Sequence, residues 1–308
     1  MLIEKIIKRV KKPKIILIDL LNHGYGKFLD DKQFLKMRYL MHFGKKLNLI
    51  EPQTFNEKLQ WLKLYDRKLE YRNMVDKYLV RDYIKHTIGE DYLIPLLGVW
   101  DNFDQIDFTT LPDQFVLKCN HDSGGVVVCK DKHNFDKASA KQKINNCLAR
   151  DYYDYSREWV YKNIPKKILA EKYLVDESGD ELKDYKLLCF DGEVKCSFTV
   201  SNRYKVGGLN VNFYDEHWVP MPFERHYPKN PVEIPMPYCY DTMKFLAEKL
   251  SKGISFVRVD FYEVDKRVYF GEITFYPGAG FEEFTPEKYD YLLGGWINLP
   301  EKKTININ

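Results

Sequence analysis

Two pairs of polar side chains near the C-terminal end have types and spacing that could hold a cation. Arg258 and Asp260 lie two apart in the apolar run Val257-Arg-Val-Asp-Phe-Tyr262, and Glu272 and Thr274 lie two apart in Gly271-Glu-Ile-Thr274. Residues two apart on a strand share a face. A three-residue connection over 265–267 sets Asp260 opposite Glu272 and Arg258 opposite Thr274. A two-residue connection instead sends the two carboxylates to opposite faces and removes the site. Facing carboxylates repel unless a positive charge sits between them, and paired oxygen ligands suit Mg²⁺. The competing reading is a pair of edge strands with charges in solvent. The apolar neighbours Val257, Val259, Phe261, Phe270 and Ile273 weigh against it.

A second set follows the run Phe115-Val-Leu-Lys-Cys119. Lys118 at the strand end supplies a mobile cation, and Ser123, Gly124 and Gly125 allow backbone N–H groups to approach an anion closely. The loop is no Walker A motif, because G-K-[ST] is absent and a strand follows where a helix is required. Taken alone, a Gly-Gly hairpin is an ordinary turn. His121 reads as an exposed loop histidine, and neither it nor Asp122 receives a catalytic role. Glu171-Lys-Tyr-Leu174 ends another apolar run, where it reads either as a contact for an adenine edge or as a plain strand exit. Pro277-Gly-Ala-Gly280, directly after the Glu272 strand, reads as the flexible backbone of a substrate-lining loop.

These residues need a frame. Thr54-Phe-Asn-Glu57 has capping-box spacing, with Phe55, Leu59 and Leu62 recurring on one face. A helix is predicted from about Asn73 to His86, ending before Gly89, with Lys77 and Arg81 four apart on one side. Strands are predicted over Phe115–Cys119, Val126–Cys129 and Ile168–Val175. A hairpin is expected over Tyr185–Val200 with its turn at Asp191-Gly192, and a last one joins Ile254–Glu263 to Val268–Phe275. Helices are expected over about Lys137–Arg150 and Asp241–Leu250. Strands and helices mix without regular βαβ alternation, so the fold class is α+β, with a helical N-terminal region.

Composition bounds the rest. The 308 residues are 44% apolar and 30% charged, which describes a globular chain with a large core. The net charge of +3 gives no reason to expect a nucleic-acid partner. The 47 aromatic residues (23 Tyr, 19 Phe and 5 Trp) suit a core and also surfaces that stack on sugars or bases. None of the six cysteines makes a C-x-x-C pair, so zinc and thioredoxin-like chemistry are poor readings. Ile15–Leu21 is broken by Asp19 and lacks a cleavage site, and the expected location is the cytoplasm. The first fourteen residues alternate Lys5, Lys8, Arg9, Lys11, Lys12 and Lys14 with Ile3, Ile6, Ile7 and Val10. Such a basic amphipathic helix reads either as a contact with the anionic inner face of a membrane or as a solvated helix.

Taken in order, the pieces resemble the ATP-grasp superfamily and most closely its TupA-like branch, over about residues 48–300. The resemblance rests on Pro52-Gln-Thr-Phe-Asn-Glu-Lys-Leu-Gln-Trp61, Asp76-Lys-Tyr-Leu-Val-Arg81, Phe115-Val-Leu-Lys-Cys-Asn-His121, Ala170-Glu-Lys-Tyr-Leu174, Asp184-Tyr-Lys186, Val257-Arg-Val-Asp-Phe-Tyr262 and Gly271-Glu-Ile-Thr-Phe-Tyr-Pro-Gly278. It implies a nucleotide held between two α+β subdomains: a smaller unit over 111–176 carrying the phosphate loop and a larger one over 177–308, after a helical region over 1–110. It also implies ATP and Mg²⁺ as cofactors. By resemblance, Arg81, Lys118, Ser123, Gly124 and Gly125 meet the phosphates. Glu171, Lys172 and Leu174 hold adenine, and Asp184 meets the ribose. Arg258 steadies an acyl phosphate, and Asp260 and Glu272 bind magnesium. Thr274 departs from the family's asparagine, and a hydroxyl is the weaker ligand. Gly278 and Gly280 line the substrate.

The implied reaction joins a carboxylate to an amine through an acyl phosphate. The branch suggests a capsular or cell-wall polysaccharide, for example a uronic acid amidated by an amino acid. A glycosyltransferase of polysaccharide biosynthesis is the alternative, although no D-x-D motif supports it. A scaffold that has lost its chemistry is the third reading, and the joint presence of Arg258, Asp260 and Glu272 speaks against it.

Overall fold

The computed structural model describes residues 26–122, 124–176, 182–202 and 208–302. The basic segment over 1–14 and Ser123 therefore lie outside the described residues.

The chain opens with helices α1 (Asp31–Phe43) and α2 (Phe55–Tyr65). Thr54 caps α2 as its spacing predicts: its hydroxyl accepts from the Glu57 N–H while the Glu57 carboxylate reaches back to the Thr54 N–H. The single helix expected over 73–86 is instead two, α3 (Glu70–Val75) and α4 (Val80–Thr87). Asp76 makes the break. Its backbone turns extended, and its carboxylate accepts from the N–H groups of Tyr78 and Leu79, a local alternative to helical bonding that Asp offers readily. Lys77 and Arg81 therefore do not share a helix face.

Two antiparallel sheets follow. The smaller has four strands in the order β1-β4-β2-β3: β1 Leu96–Trp100, β2 Phe115–Cys119, β3 Val126–Cys129 and β4 Ile168–Lys172. The helix α5 (Lys137–Leu148) packs on β2 and β3 through Ala140, Ile144 and Cys147. Because β1 belongs to this sheet, its strands begin earlier in the chain than residue 111. Strand β4 ends at Lys172, three residues short of the expected Val175.

The larger sheet has five strands in the order β10-β9-β5-β6-β7: β5 Asp184–Phe190, β6 Glu193–Ser201, β7 Asn210–Asp215, β9 Phe256–Val264 and β10 Arg267–Thr274. One side is covered by α6 (Tyr240–Leu250), and a single core joins this sheet to α1–α4. A short pair, β8 (Glu224–Arg225) with β11 (Phe284–Thr285), and α7 (Lys288–Gly295), which packs on α2, complete an α+β body. Among the described residues no helix is long and apolar enough to cross a membrane.

The last hairpin departs from expectation and still reaches the expected register. Its loop is two residues, Asp265 and Lys266, with φ of 50° and 59°. This left-handed pair matches strand twist in a tight turn. Such a loop alone would place Asp260 and Glu272 on opposite faces. A bulge between Phe270 and Glu272 restores the pairing of Glu272 with Asp260 and of Thr274 with Arg258. The bulge residue is Gly271, where an added Cβ would lie 3.0 Å from the Asp260 carbonyl oxygen and 3.2 Å from the Tyr262 ring. The sheet's facing carboxylates thus depend on a glycine that lets two strands approach.

Candidate active site between the two sheets

A cavity of about 580 Å³ lies between the sheets, with Lys118 and Val126 on the smaller one and Asp184, Lys186, Arg258, Asp260 and Glu272 on the larger. This volume falls within the range of small-molecule sites.

Its centre is a charge network. The Arg258 guanidinium donates to Asp260 from Nε (2.7 Å to Oδ1) and from Nη2 (2.7 Å to Oδ2). The same Nη2 donates to Glu272 Oε1 at 2.8 Å and to Thr274 Oγ1 at 3.0 Å. The positive charge that two facing carboxylates require is thus supplied by the neighbouring strand position. Lys186, two residues after Asp184 on β5, pairs with Asp260 and lies 3.4 Å from Asp184. Burial pushes the Asp260 pKa up, against the pull of Arg258 and Lys186. Burial also acts to raise that of Glu272, but Lys77, Arg258 and Lys186 outweigh it and hold the group down at about 2. Both strand neighbours of Arg258 raise its own pKa against the opposing effect of burial.

Lys77 enters from the break between α3 and α4. Its ammonium donates to the Asp122 carbonyl in the glycine loop and lies 3.9 Å from Glu272. It thereby bridges the two sheets. The Lys77 N–H also donates to the Asn120 carbonyl at 3.1 Å. The fully buried Asn120 amide ties the root of that loop to Asp76 and the Pro165 carbonyl, and accepts from the Lys167 N–H.

The residues read from sequence separate into two groups. Lys118, Asp184, Arg258, Asp260, Glu272 and Gly278 line the cavity. Thr274 joins through its bond to Arg258. Glu171 is buried one step behind, paired with Lys118 at 2.6 Å and with Arg81 at 3.3 Å. Arg81 also donates to the Ile94 carbonyl and does not line the cavity. Leu174 packs with Ile94, Val264 and Tyr262. The Lys172 side chain is exposed and belongs to a separate depression with Leu97 and Pro112. The Gly125 N–H donates to the Asp122 carboxylate at 2.9 Å and so is directed into its own loop. His121, expected to be exposed, is buried at 3% exposure, and Asp122 beside it at 8%. The His121 ring packs against α5, with Nε2 3.2 Å from the Cys147 carbonyl.

Pro277–Gly280 is pinned, not flexible as expected. Gly278, Ala279 and Gly280 are all left-handed, with φ of 58°, 53° and 64°. Lys63 donates to the Ala279 carbonyl at 2.7 Å, Gln60 to that of Gly280 at 2.7 Å, and Arg225 to that of Pro277 at 2.8 Å. Gly280 lies against α2 and does not line the cavity: an added Cβ would meet Gln60 Nε2 at 2.4 Å.

Sequence reasoning missed Lys77, Lys186 and Arg225. Lys186 had a signal, since it shares a strand face with Asp184. Lys77 had none, because its direction depends on the helix break. Among the described residues, no group of three or more His, Cys, Asp or Glu side chains is arranged to hold a metal ion. The facing carboxylates Asp260 and Glu272 and the Thr274 hydroxyl are all oxygen donors, and in this structure Arg258 engages all three.

A sequence model for the family described as TupA-like ATPgrasp matches residues 57–298, well over half of the chain. No curated protein matches. Among solved structures, the chain is similar to the D-alanine–D-alanine ligase from Bacillus anthracis complexed with ATP, at 14% identity and a TM-score of 0.39, covering 65% of this chain and 54% of that one. It is also similar to the D-alanine–D-alanine ligase from Helicobacter pylori (15%, TM-score 0.40, 80% and 70% covered) and to a RimK domain ATP-grasp protein from Sphaerobacter thermophilus (11%, 0.40, 76% and 70%). The chain spans about half the length of the Bacillus anthracis ligase.

Proposed function

The chain belongs to the TupA-like ATP-grasp family, and from that premise we propose that it is an ATP-dependent carboxylate–amine ligase. The observation that carries the reading is the cavity's charge pattern: Lys77, Lys186 and Arg258 surround Asp260 and Glu272, and Lys118, paired with Glu171, lines the same cavity between the two sheets. Five cations, Lys77, Lys118, Lys186, Arg225 and Arg258, line the cavity with four carboxylates, a density of charge that suits a polyphosphate with its divalent counter-ion better than a neutral ligand. Asp260 and Glu272, with the Thr274 hydroxyl, would hold Mg²⁺, which when bound neutralises phosphate charge. The smaller lobe, ending near residue 176, and the larger one beyond it enclose the nucleotide.

In this reading a substrate carboxylate takes the terminal phosphoryl group of ATP, giving an acyl phosphate and ADP. An amine then forms the C–N bond as inorganic phosphate leaves. The protein's work in the first step is positioning and charge compensation. Lys118 approaches from the smaller sheet, Lys186 and Arg258 from the larger one, and Lys77 from the helix break beside them. Arg258, fixed by Asp260 and Glu272, is oriented before anything binds, so little reorganisation is needed as charge develops. The carboxylate is a uronic acid of a capsular or cell-wall polysaccharide and the amine an amino acid. The basic segment over 1–14 brings the chain to the inner, anionic membrane face where such polymers are assembled, and lipid co-sedimentation with and without that segment tests this.

A thermal-shift titration with ATP, ADP and UDP-sugars, each with and without Mg²⁺, is the direct test. A ligand at a hundredfold excess over Kd stabilises by about 2.7 kcal/mol. A magnesium-dependent shift with ATP, lost in Glu272→Ala, supports the ligase. A shift with a UDP-sugar and none with ATP transfers the assignment to a glycosyltransferase. Arg258→Ala and Lys118→Ala are each expected to lower kcat by about 10²–10³-fold. Turnover near wild type in both sinks the site assignment.

A further inference from the structure

Beyond the charge network, the cavity continues along β6 and β7 to a wall of Phe198, Val211 and Phe213, and closes on Arg225, Gly278 and Glu282. Four carboxylates line the cavity as a whole. Asp260 and Glu272 are bound by Arg258, and Asp184 lies beside Lys186. Glu282 is different. Its one charged partner among the described residues is Arg225, 3.3 Å away from Oε2, and the same Arg225 nitrogen already donates to the Pro277 carbonyl at 2.8 Å. About a quarter of the Glu282 side chain remains open.

The position of Glu282 is built in. An added Cβ on Gly278 would fall 2.2 Å from the Glu282 Cδ, so the left-handed glycine is what lets the carboxylate lie there. The Glu282 backbone is tied by its carbonyl to the amide of Asn56, which is itself fully buried. Held from below and matched by a single, shared cationic contact, an ionised carboxylate retains acceptor capacity for further donors. A compact cation with several N–H groups satisfies that capacity, and the apolar wall beside it covers an aliphatic or ring body.

We infer that Glu282, held over Gly278 and oriented by Arg225, binds the ammonium group of the amine substrate at the end of the cavity lined by Phe198 and Phe213. The inference rests on the ligase reading, in which an amine must enter after the phosphoryl transfer. Near pH 7 a primary aliphatic amine arrives as its ammonium ion, so a carboxylate at this end of the cavity selects and holds it. The cation-rich centre around Arg258 is left to the carboxylate partner and the phosphates.

The test uses the full chain loaded with ATP and Mg²⁺. The probes are the twenty amino acids, ethanolamine, putrescine and glucosamine, each paired with its N-acetyl counterpart, and binding is read by thermal shift and calorimetry. At least one amine is expected to bind wild type while its N-acetyl form does not. Glu282→Gln should weaken that amine at least tenfold and leave ATP affinity within twofold. Glu282→Asp, which keeps the charge and withdraws it by one methylene, should fall between the two. The inference is overturned if ATP binds but no amine does, or if Glu282→Gln retains amine affinity within twofold. Absence of ATP binding to wild type instead overturns the ligase reading, so the two failures are distinguishable.

Discussion

Two loops carrying glycine flank the same cavity, one joining Lys118 to Val126 and the other starting at Pro277, and the exposed Gly124 of the first contrasts with the packed Gly278 and Gly280 of the second. The loop over 120–125 is tied at its root by Asn120, whereas a Cβ added to the exposed Gly124 would meet nothing within 4 Å. The loop Pro277–Gly280 is held along its length by Lys63, Gln60 and Arg225, and its glycines sit where a side chain would collide with Glu282 or α2. In the first, Gly124 leaves space for something that comes from outside, while Gly125, where a Cβ would lie 2.8 Å from Cys119 Sγ, lets the loop close on its own strand. In the second, glycine lets the chain fold on itself. We read the first as a clasp over the phosphates and the second as a fixed floor under the substrates.

The largest test of the floor is Lys63→Met. Lys63 is fully buried and donates to the carbonyls of Ser156 and Ala279. Burial drives its pKa down to about 7, with Glu158 opposing that fall. Removing the amine leaves two buried acceptors without a donor and Glu158 with less compensation. The expected loss is about 2–5 kcal/mol of stability, read by urea or thermal denaturation. A loss under about 1 kcal/mol would mean the loop is not held from below, and the contrast would collapse.

Gly280→Ala comes next. Its φ of 64° and the 2.4 Å approach to Gln60 Nε2 require either the loop or α2 to move. A cost of about 1–3 kcal/mol is expected, the range for overpacking a filled site. Gln60→Ala, introduced with it, should return part of that loss by removing the clashing group.

How far these contrasts could be read from sequence differs by element. The capping box at Thr54, the Asp191-Gly192 turn and the strands around Lys118 were legible because each is set by residues within a few positions. The facing of Asp260 and Glu272 was anticipated through the wrong loop length, since the compensating bulge at Gly271 depends on contact with the opposite strand. Lys63 and Arg225 stayed hidden because their residue types signal surface, and only the tertiary fold supplies the carbonyls that make their burial tolerable. Lys77 stayed hidden for a related reason: Asp76 breaks the helix in company with Asn120, forty-four positions away.

The smallest expected effect is the sharpest discriminator. Gly124 is exposed, is not left-handed and has open space where a Cβ would stand. Gly124→Ala should therefore change stability by no more than about 0.5 kcal/mol. Yet if the clasp works by bringing its backbone against phosphate oxygens, even one methyl group at Gly124 holds it away. A loss of about tenfold in ATP affinity, or 1.4 kcal/mol, is then expected on an unaltered fold. Gly280→Ala should show the reverse, a large change in stability with ATP affinity retained by the molecules that fold. Equal shifts in stability and affinity in both variants would show that the two loops do one job, and the division into clasp and floor would have to be abandoned.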